Sequence, residues 1–468
     1  MKRILNAILL LGLGLAAEAQ QYSFTFRLGD EAKDTVLYAM RHFRDQLQPM
    51  DTARRADGGV YVFKGRKAWQ TGLYALVRQD GKTQLGDFAV DGSLRFSITA
   101  DARLTPQSVK VKGCEANRLM FDYLATEAAA ISESAAIRER KKSGDSQAEA
   151  DEKALNERML AYEATARHPK RKTYFFDMVN AFDRPEVPDT VQDKPVYYRR
   201  HYWDSFWQSG ESFERVKYSP QLFNWMNYFF FGLMYYADSD TICAEIDRMA
   251  ARIADDTAML RYVFDFIEPR YFRSTRNVGW DAVWCHLASE YYLKGRCPWA
   301  TEGTLHNMRY NYNRIRQSLI GAHGQELLMM DTTQIDAPEH WYSSHQFAEP
   351  YVILWFWDPD CHHCQEQSEQ LKQLYDNMVA AGKKRFEVYA IGYEADVDKW
   401  RRYVREHDFR WVNVGGTNVN IDYQEAYNVH GAPTMIILNE RRDIIMNKVL
   451  PVKSLMQFFD EYEKRTAK

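Results

Sequence analysis

The sequence predicts a multidomain α+β protein, and three changes of texture along the chain predict it. Residues 22–100 alternate apolar and polar side chains between Asp-Gly turns. Residues 115–300 switch to helical spacing, first charged and then aromatic. After residue 350, short apolar strands alternate with amphipathic helices. The expected order is a signal peptide at 1–19, a small β-rich domain at 20–104, an all-helical domain at 105–305 and an α/β domain at 306–468. A chain of 468 residues is in any case too long for a single core.

The leader, MKRILNAILLLGLGLAAEA, carries Lys2 and Arg3, then an apolar stretch from Ile8 to Leu15. Ala17-Glu18-Ala19 follows in the small-x-small form of a signal peptidase site. The stretch is too short for a membrane anchor, and no Cys stands near the cleavage point to take a lipid. No later stretch reaches roughly 18 uninterrupted apolar residues. NWMNYFFFGLMYY, at 224–236, comes nearest and reads as a buried helix. A periplasmic, exported chain with no membrane anchor is expected. Its 61 basic and 64 acidic residues leave a net charge of −3, which offers no electrostatic footprint for nucleic acid or an anionic membrane.

In the β-rich region YSFTFRL and GVYVFKG alternate with period two, and Asp80-Gly81 and Asp91-Gly92 signal tight turns. About six to eight strands in a sandwich or open sheet fit this spacing. Residues 115–168 are rich in Ala, Glu, Lys and Arg, the composition of solvated helices, with a loop at Ser143-Gly144-Asp145. From 172 the helical pattern turns aromatic in HYWDSFW, YSPQLFNWMNYFF and DAVWCHLASEYYLKG. Trp203, Trp207 and Trp225 fall at spacings that suit a helical core.

The last third begins with YVILWFW (351–357), a buried-strand pattern. CHHCQEQSEQLKQLYDNMVAAGK then places Leu371, Leu374, Tyr375 and Met378 at helical spacing. RFEVYAIGY and FRWVNVGG read as strands with the helix VDKWRRYVREH between them. TMIILN and DIIMNKVL are two adjacent strands, and VKSLMQFFDEYEKR is a closing helix. Such an order describes an α/β sheet with an antiparallel edge.

Cys361-His362-His363-Cys364 stands where the first of these strands runs into its helix. A thiol there meets unpaired helix N–H groups at the positive end of the helix dipole. Such sites lower a thiol pKa from about 8.5 to roughly 3.5–7.5. His362 and His363, when protonated, favour the thiolate further, whereas the carboxylates of Asp358 and Asp360 oppose it. Cys361 is the expected nucleophile, and Cys364, one turn on, the expected resolving thiol. A CxxC loop is too small for a structural bridge to constrain much unfolded-chain entropy.

Other chemistries fit less well. A closed zinc site generally needs a second ligand pair from another segment, and no second CxxC or HxxxH exists, so no metal is expected. Covalent haem needs His directly after the second Cys, where Gln365 stands. A peroxidase would want Pro-x-x-x-Thr-x-x-Cys, which is absent around Cys361. Further along, HGAPTMIILN puts Pro433 immediately before a strand, where it need not donate to the ladder. An Ala-Pro bond at such a turn is open to the cis form.

A strand ending in Phe356-Trp357, then CxxC, then a helix, with Gly-x-Pro-Thr before a late hairpin, resembles the thioredoxin fold. The wide gap between CxxC and Pro433 is similar to that of the TlpA/ResA-type exported bacterial thiol-disulfide oxidoreductases. The resemblance covers roughly residues 318–468, about a third of the chain. It implies that Cys361 attacks and Cys364 resolves, through a redox-active disulfide Cys361–Cys364 with no bound cofactor. It implies that Pro433 is cis and that Ala432 and Pro433 bind the substrate backbone. The implied partners are protein thiol or disulfide substrates and an electron donor or acceptor protein. Members usually carry an apolar residue before the first Cys, where this chain has Asp360.

The regions before it, with YYRRHYWDSFW and YYLKGRCPWA, resemble domains of uncharacterised function that precede such a domain in exported bacterial proteins. The alternative expectation is therefore a periplasmic binding or scaffold protein whose dithiol is secondary. Cys285 and Cys297 are left as two buried thiols or a bridge, and Cys114 and Cys243 read as buried or unpaired. His323, His345 and His430 read as ordinary surface or hydrogen-bonded histidines.

Overall fold

A computed structural model describes residues 22–168, 172–273, 277–331, 340–393 and 396–467. The leader expected at 1–19 lies outside the described residues. The chain divides into two compact units, one ending at Tyr235 and the next beginning at Tyr236. That division falls inside the stretch 105–305, because the later helices are tied to the C-terminal sheet. Asp281 accepts a hydrogen bond from Asn447 at 2.6 Å, and Arg314 pairs with Glu425 at 3.0 Å.

The first unit is built on one eight-stranded sheet. Its strands are β1 (Tyr22–Arg27), β2 (Val36–Phe43), β3 (Gln46–Ala56), β4 (Val60–Gly65), β5 (Gly72–Val77), β6 (Gln84–Val90), β7 (Arg95–Thr99) and β8 (Lys110–Lys112). The order is β6-β5-β2-β3-β4-β1-β7-β8, so the last strand lies beyond residue 104. Neighbours are antiparallel except β1 and β7. Period-two alternation turns Phe24 and Phe26 of β1 inward, where Phe24 stacks on Phe96 at 4.6 Å.

Helix Glu115–Lys142 leaves this sheet and returns as helix Ala148–Ala166. The reversal uses Gly144, whose φ of +84° is one that side chains rarely adopt. Buried Asn117 pins the first helix to the sheet edge. Its amide accepts from Ala89 N–H at 2.6 Å and donates to Ala89 C=O at 2.8 Å, satisfying an edge-strand residue. Trp203 and Trp225 are buried as expected for a helical core, and Trp207 is half-buried. The run 224–236 is not one buried helix. Helix Pro220–Tyr228 gives way to a π turn at Phe229–Leu233, and Tyr235 and Tyr236 face solvent.

The second unit opens with helices Ser239–Arg252, Thr257–Arg273, Trp280–His286 and Glu302–Ile315. A seven-stranded sheet follows. It comprises β9 (Leu328–Asp331), β10 (Trp341–Ser343), β11 (Tyr351–Trp357), β12 (Phe386–Gly392), β13 (Val412–Val419), β14 (Thr434–Leu438) and β15 (Ile444–Met446). The order is β10-β9-β13-β12-β11-β14-β15. Pairing is parallel across β11, β12 and β13 and antiparallel elsewhere. The antiparallel edge at β14 and β15 was expected; the antiparallel β9–β10 pair at the other edge was not.

Every residue of β11 is buried, because both faces of the strand are covered. Tyr351, Ile353, Trp355 and Trp357 face the core closed by helices His362–Ala380 and Leu455–Thr466. Val352, Leu354 and Phe356 face a second core with Leu327, Tyr427 and Val429. This central strand therefore delivers the chain to Cys361 from a fixed position.

Candidate active site

The CHHC site is assembled at the end of β11. After Trp357 the chain turns through Asp358, Pro359 and Asp360, with Cys361 N–H bonded to Asp358 C=O at 3.1 Å. Cys361 is the N-cap of helix His362–Ala380, in an extended conformation at φ −91° and ψ 111°. Its Sγ accepts the Cys364 N–H at 3.3 Å. The sulfur thus takes the place of a Ser or Asp capping oxygen, at the helix end that favours negative charge. Cys361 is half-buried and reachable, whereas Cys364 is 0% exposed. Burial, then the Cys361 sulfur and the Asp358 carboxylate, push the Cys364 thiol up to about 12. One thiol is therefore reachable and the other is buried, with burial favouring its neutral form.

Two side-chain bonds hold the active-site helix against the strand. Trp355 Nε1–H donates to Ser368 Oγ at 2.9 Å inside the core, and Gln365 Nε2–H donates to Pro359 C=O at 2.7 Å. Opposite the dithiol, the Ala432–Pro433 peptide bond is cis. It sits just before β14, whose Thr434 pairs with Phe356 of β11. That pairing brings the Ala432 carbonyl within 3.9 Å of Cys361 Sγ. Cys361, Cys364, Ala432 and Pro433 thus meet at one place.

The two histidines face solvent instead. His362 and His363 side chains are 79% and 82% exposed, and their partner is Glu366, at 3.3 and 3.7 Å. Of the nearby carboxylates, Asp360 is paired with Lys399 from the helix Val397–Glu406. Lys399 escaped sequence reasoning, since nothing local places a residue so far along the chain beside Asp360. The short helix Tyr423–Ala426 was missed as well, although Tyr423 stacks on Phe356 at 5.5 Å.

All six cysteines are free thiols. Cys285 and Cys297 are thus two buried thiols rather than a bridge, and burial pushes both, like Cys243, up to about 12. Cys114 is buried and accepts a 3.3 Å hydrogen bond from Asn117. Among the described residues no three His, Cys, Asp or Glu side chains are grouped to hold a metal ion. Among the same residues no helix is long and apolar enough to cross a membrane.

A family model described as thioredoxin-like matches residues 349–444. No curated protein matches the chain. Among solved structures, a thioredoxin-like protein from Bacteroides caccae is 17% identical, with a TM-score of 0.48, over 60% of this chain and 98% of its own. A domain of a possible thiol-disulfide isomerase from Cytophaga hutchinsonii is 27% identical, with a TM-score of 0.28, over 32% of this chain and 96% of its own. A thiol:disulfide interchange protein from Bacteroides sp. is 17% identical, with a TM-score of 0.26, over 32% of this chain and 90% of its own. With the matched segment running from just before β11 into β15, the C-terminal part of this multidomain α+β chain is a thioredoxin-like domain.

Proposed function

We propose that the chain is an exported thiol-disulfide oxidoreductase that exchanges disulfides with protein substrates through Cys361 and Cys364. One observation carries the reading: a reachable thiol caps a helix N-terminus, directly above a buried partner thiol and beside the Ala432 carbonyl. The leader pattern at 1–19 supports export to the periplasm, where cystine-containing substrates occur.

The exchange runs in two displacements. The Cys361 thiolate attacks one sulfur of a substrate disulfide, forming a mixed disulfide and releasing the other substrate sulfur as a thiolate. That released thiolate takes up the proton that Cys364 gives up. The Cys364 thiolate attacks Cys361 Sγ, closing the Cys361–Cys364 disulfide and expelling the second substrate sulfur, which takes a proton. Two electrons have then moved from the protein dithiol to the substrate, and a dithiol donor protein restores the start. Run backwards, the same steps oxidise a substrate dithiol. The exposed imidazoles of His362 and His363 supply positive charge near the thiolate when protonated, and Ala432 with cis-Pro433 receives the substrate backbone. No bound cofactor is required beyond the cysteine pair.

Insulin reduction by dithiothreitol, followed as turbidity, tests the reading. The wild type is expected to accelerate it and Cys361→Ser to be inert. Equal inertness of both towards insulin and other protein disulfides would remove the oxidoreductase reading.

A further inference from the structure

The segment that carries Ala432 and Pro433 is poorly equipped to hold its own shape. Helix Tyr423–Ala426 has four residues, fewer than an isolated helix needs. Asn428 follows at a positive φ of 52°. The inner side of the segment is anchored by Tyr427 and Val429 in the second core, with Tyr427 OH donating to Gln325 C=O at 2.6 Å.

Its outer side is held by a helix that lies outside the thioredoxin-like match, Glu302–Ile315. Tyr310 OH donates to Glu425 Oε1 at 3.3 Å and accepts from Arg314 Nη1 at 3.2 Å. Arg314 Nε lies 3.0 Å from Glu425 Oε2 but does not direct its N–H there, so the contact is an ion pair rather than an aligned hydrogen bond. The Arg314 side chain is 16% exposed and that of Glu425 48%, so solvent screens the pair on the Glu425 side only. The pair also borders the loop: burial, and then the Arg314 guanidinium against the opposing Glu425 carboxylate, hold the His430 imidazole below its usual range. His430 in turn bonds Asn428 at 2.8 Å, two residues before Ala432.

We propose that Arg314 and Tyr310 are positioning residues for disulfide exchange: through Glu425 they hold the Asn428–Pro433 loop in the shape that receives a protein substrate's backbone. The inference rests on the exchange reading above. It makes a helix from the preceding region a support for the loop, with no contact to substrate of its own. A small disulfide needs only the dithiol, whereas a protein cystine must also lay its backbone along Ala432 and Pro433. Loosening the loop therefore raises KM for protein substrates and spares both kcat and small substrates.

The test uses the full chain with insulin and with a small aromatic disulfide. Arg314→Ala is expected to raise KM for insulin about fivefold, the effect of losing a partly buried ion pair. Its kcat, and its rate with the small disulfide, should stay within about twofold. Arg314→Lys should restore much of the loss, and Glu425→Gln should reproduce the split if Arg314→Ala does not fold. An active wild type whose folded variants keep the insulin KM, or lose both substrates equally, overturns this inference alone. A wild type inert towards both disulfides overturns the exchange reading and this inference with it.

Discussion

Cys361 and Cys364 differ in environment more than in chemistry. One sulfur caps a helix and is reachable; the other is fully buried, with its thiol pushed up to about 12. On the proposed mechanism, removing Cys364 should therefore stop the exchange halfway. Cys364→Ser is expected to accumulate a mixed disulfide with substrate, read as the summed mass of both partners and cleared by dithiothreitol. Asp360, directly before Cys361, has its charge offset by Lys399. Lys399→Met leaves that carboxylate unpaired and should slow alkylation of Cys361 by iodoacetamide about two- to threefold, more at low salt than at high. The cysteine pair was legible because strand, turn and helix are contiguous. Lys399 was not, because it comes 39 residues later and only the packing of another helix brings it back.

At the scale of elements, the site depends on helix His362–Ala380 keeping its register on β11. Ser368→Ala leaves the buried Trp355 indole N–H without its partner, and should cost about 1–3 kcal/mol in urea unfolding. A second element-level effect lies in helix Thr257–Arg273. Burial raises the pKa of Glu268 against the opposing 2.7 Å hydrogen bond that its Oε1 accepts from Trp284 Nε1; Asp265 adds to the shift and Arg273 offsets it. The folded state thus holds this proton more tightly than the unfolded chain. The stability it contributes is full below the unfolded carboxylate pKa of about 4.3 and falls as pH rises through the higher folded value. Glu268→Gln keeps an acceptor for Trp284 without the buried charge. It should stabilise near neutral pH and have no effect below about pH 4, measured as ΔTm across pH. β11 was legible from YVILWFW because covered strands read as unbroken apolar runs. β9 and β10, at four and three residues, are too short to show a period.

For the whole molecule, the distribution of thiols makes a prediction about selectivity. Cys243, Cys285, Cys297 and Cys364 are all pushed up to about 12, chiefly by burial, and Cys114 is buried. Alkylation proceeds through the thiolate. Brief iodoacetamide treatment of the reduced native chain should therefore add a single adduct, at Cys361, by peptide mapping. All six cysteines should react once guanidinium exposes them. Several adducts on the native chain would show that the buried thiols are open to solvent. The chain's partition is a property of this scale too. Composition separates β-rich, helical and α/β stretches, yet the compact units meet at Tyr235 and Tyr236, inside the helical stretch. Texture reports which elements form, whereas a boundary depends on which elements share a core.

By itself the sequence determined the local order of strands and helices, the strand-to-helix junction that makes Cys361 a helix cap, and the likeness to a thioredoxin fold. All of these are written in period, spacing and neighbouring residues. The tertiary structure alone decided that Cys364 is sealed while Cys361 is reachable, that His362 and His363 turn to Glu366, and that Lys399 meets Asp360. It likewise decided that Arg314 reaches Glu425 beside the loop of Ala432 and Pro433. Burial and long-range ion pairs arise only when distant segments pack, and no one-dimensional pattern carries them.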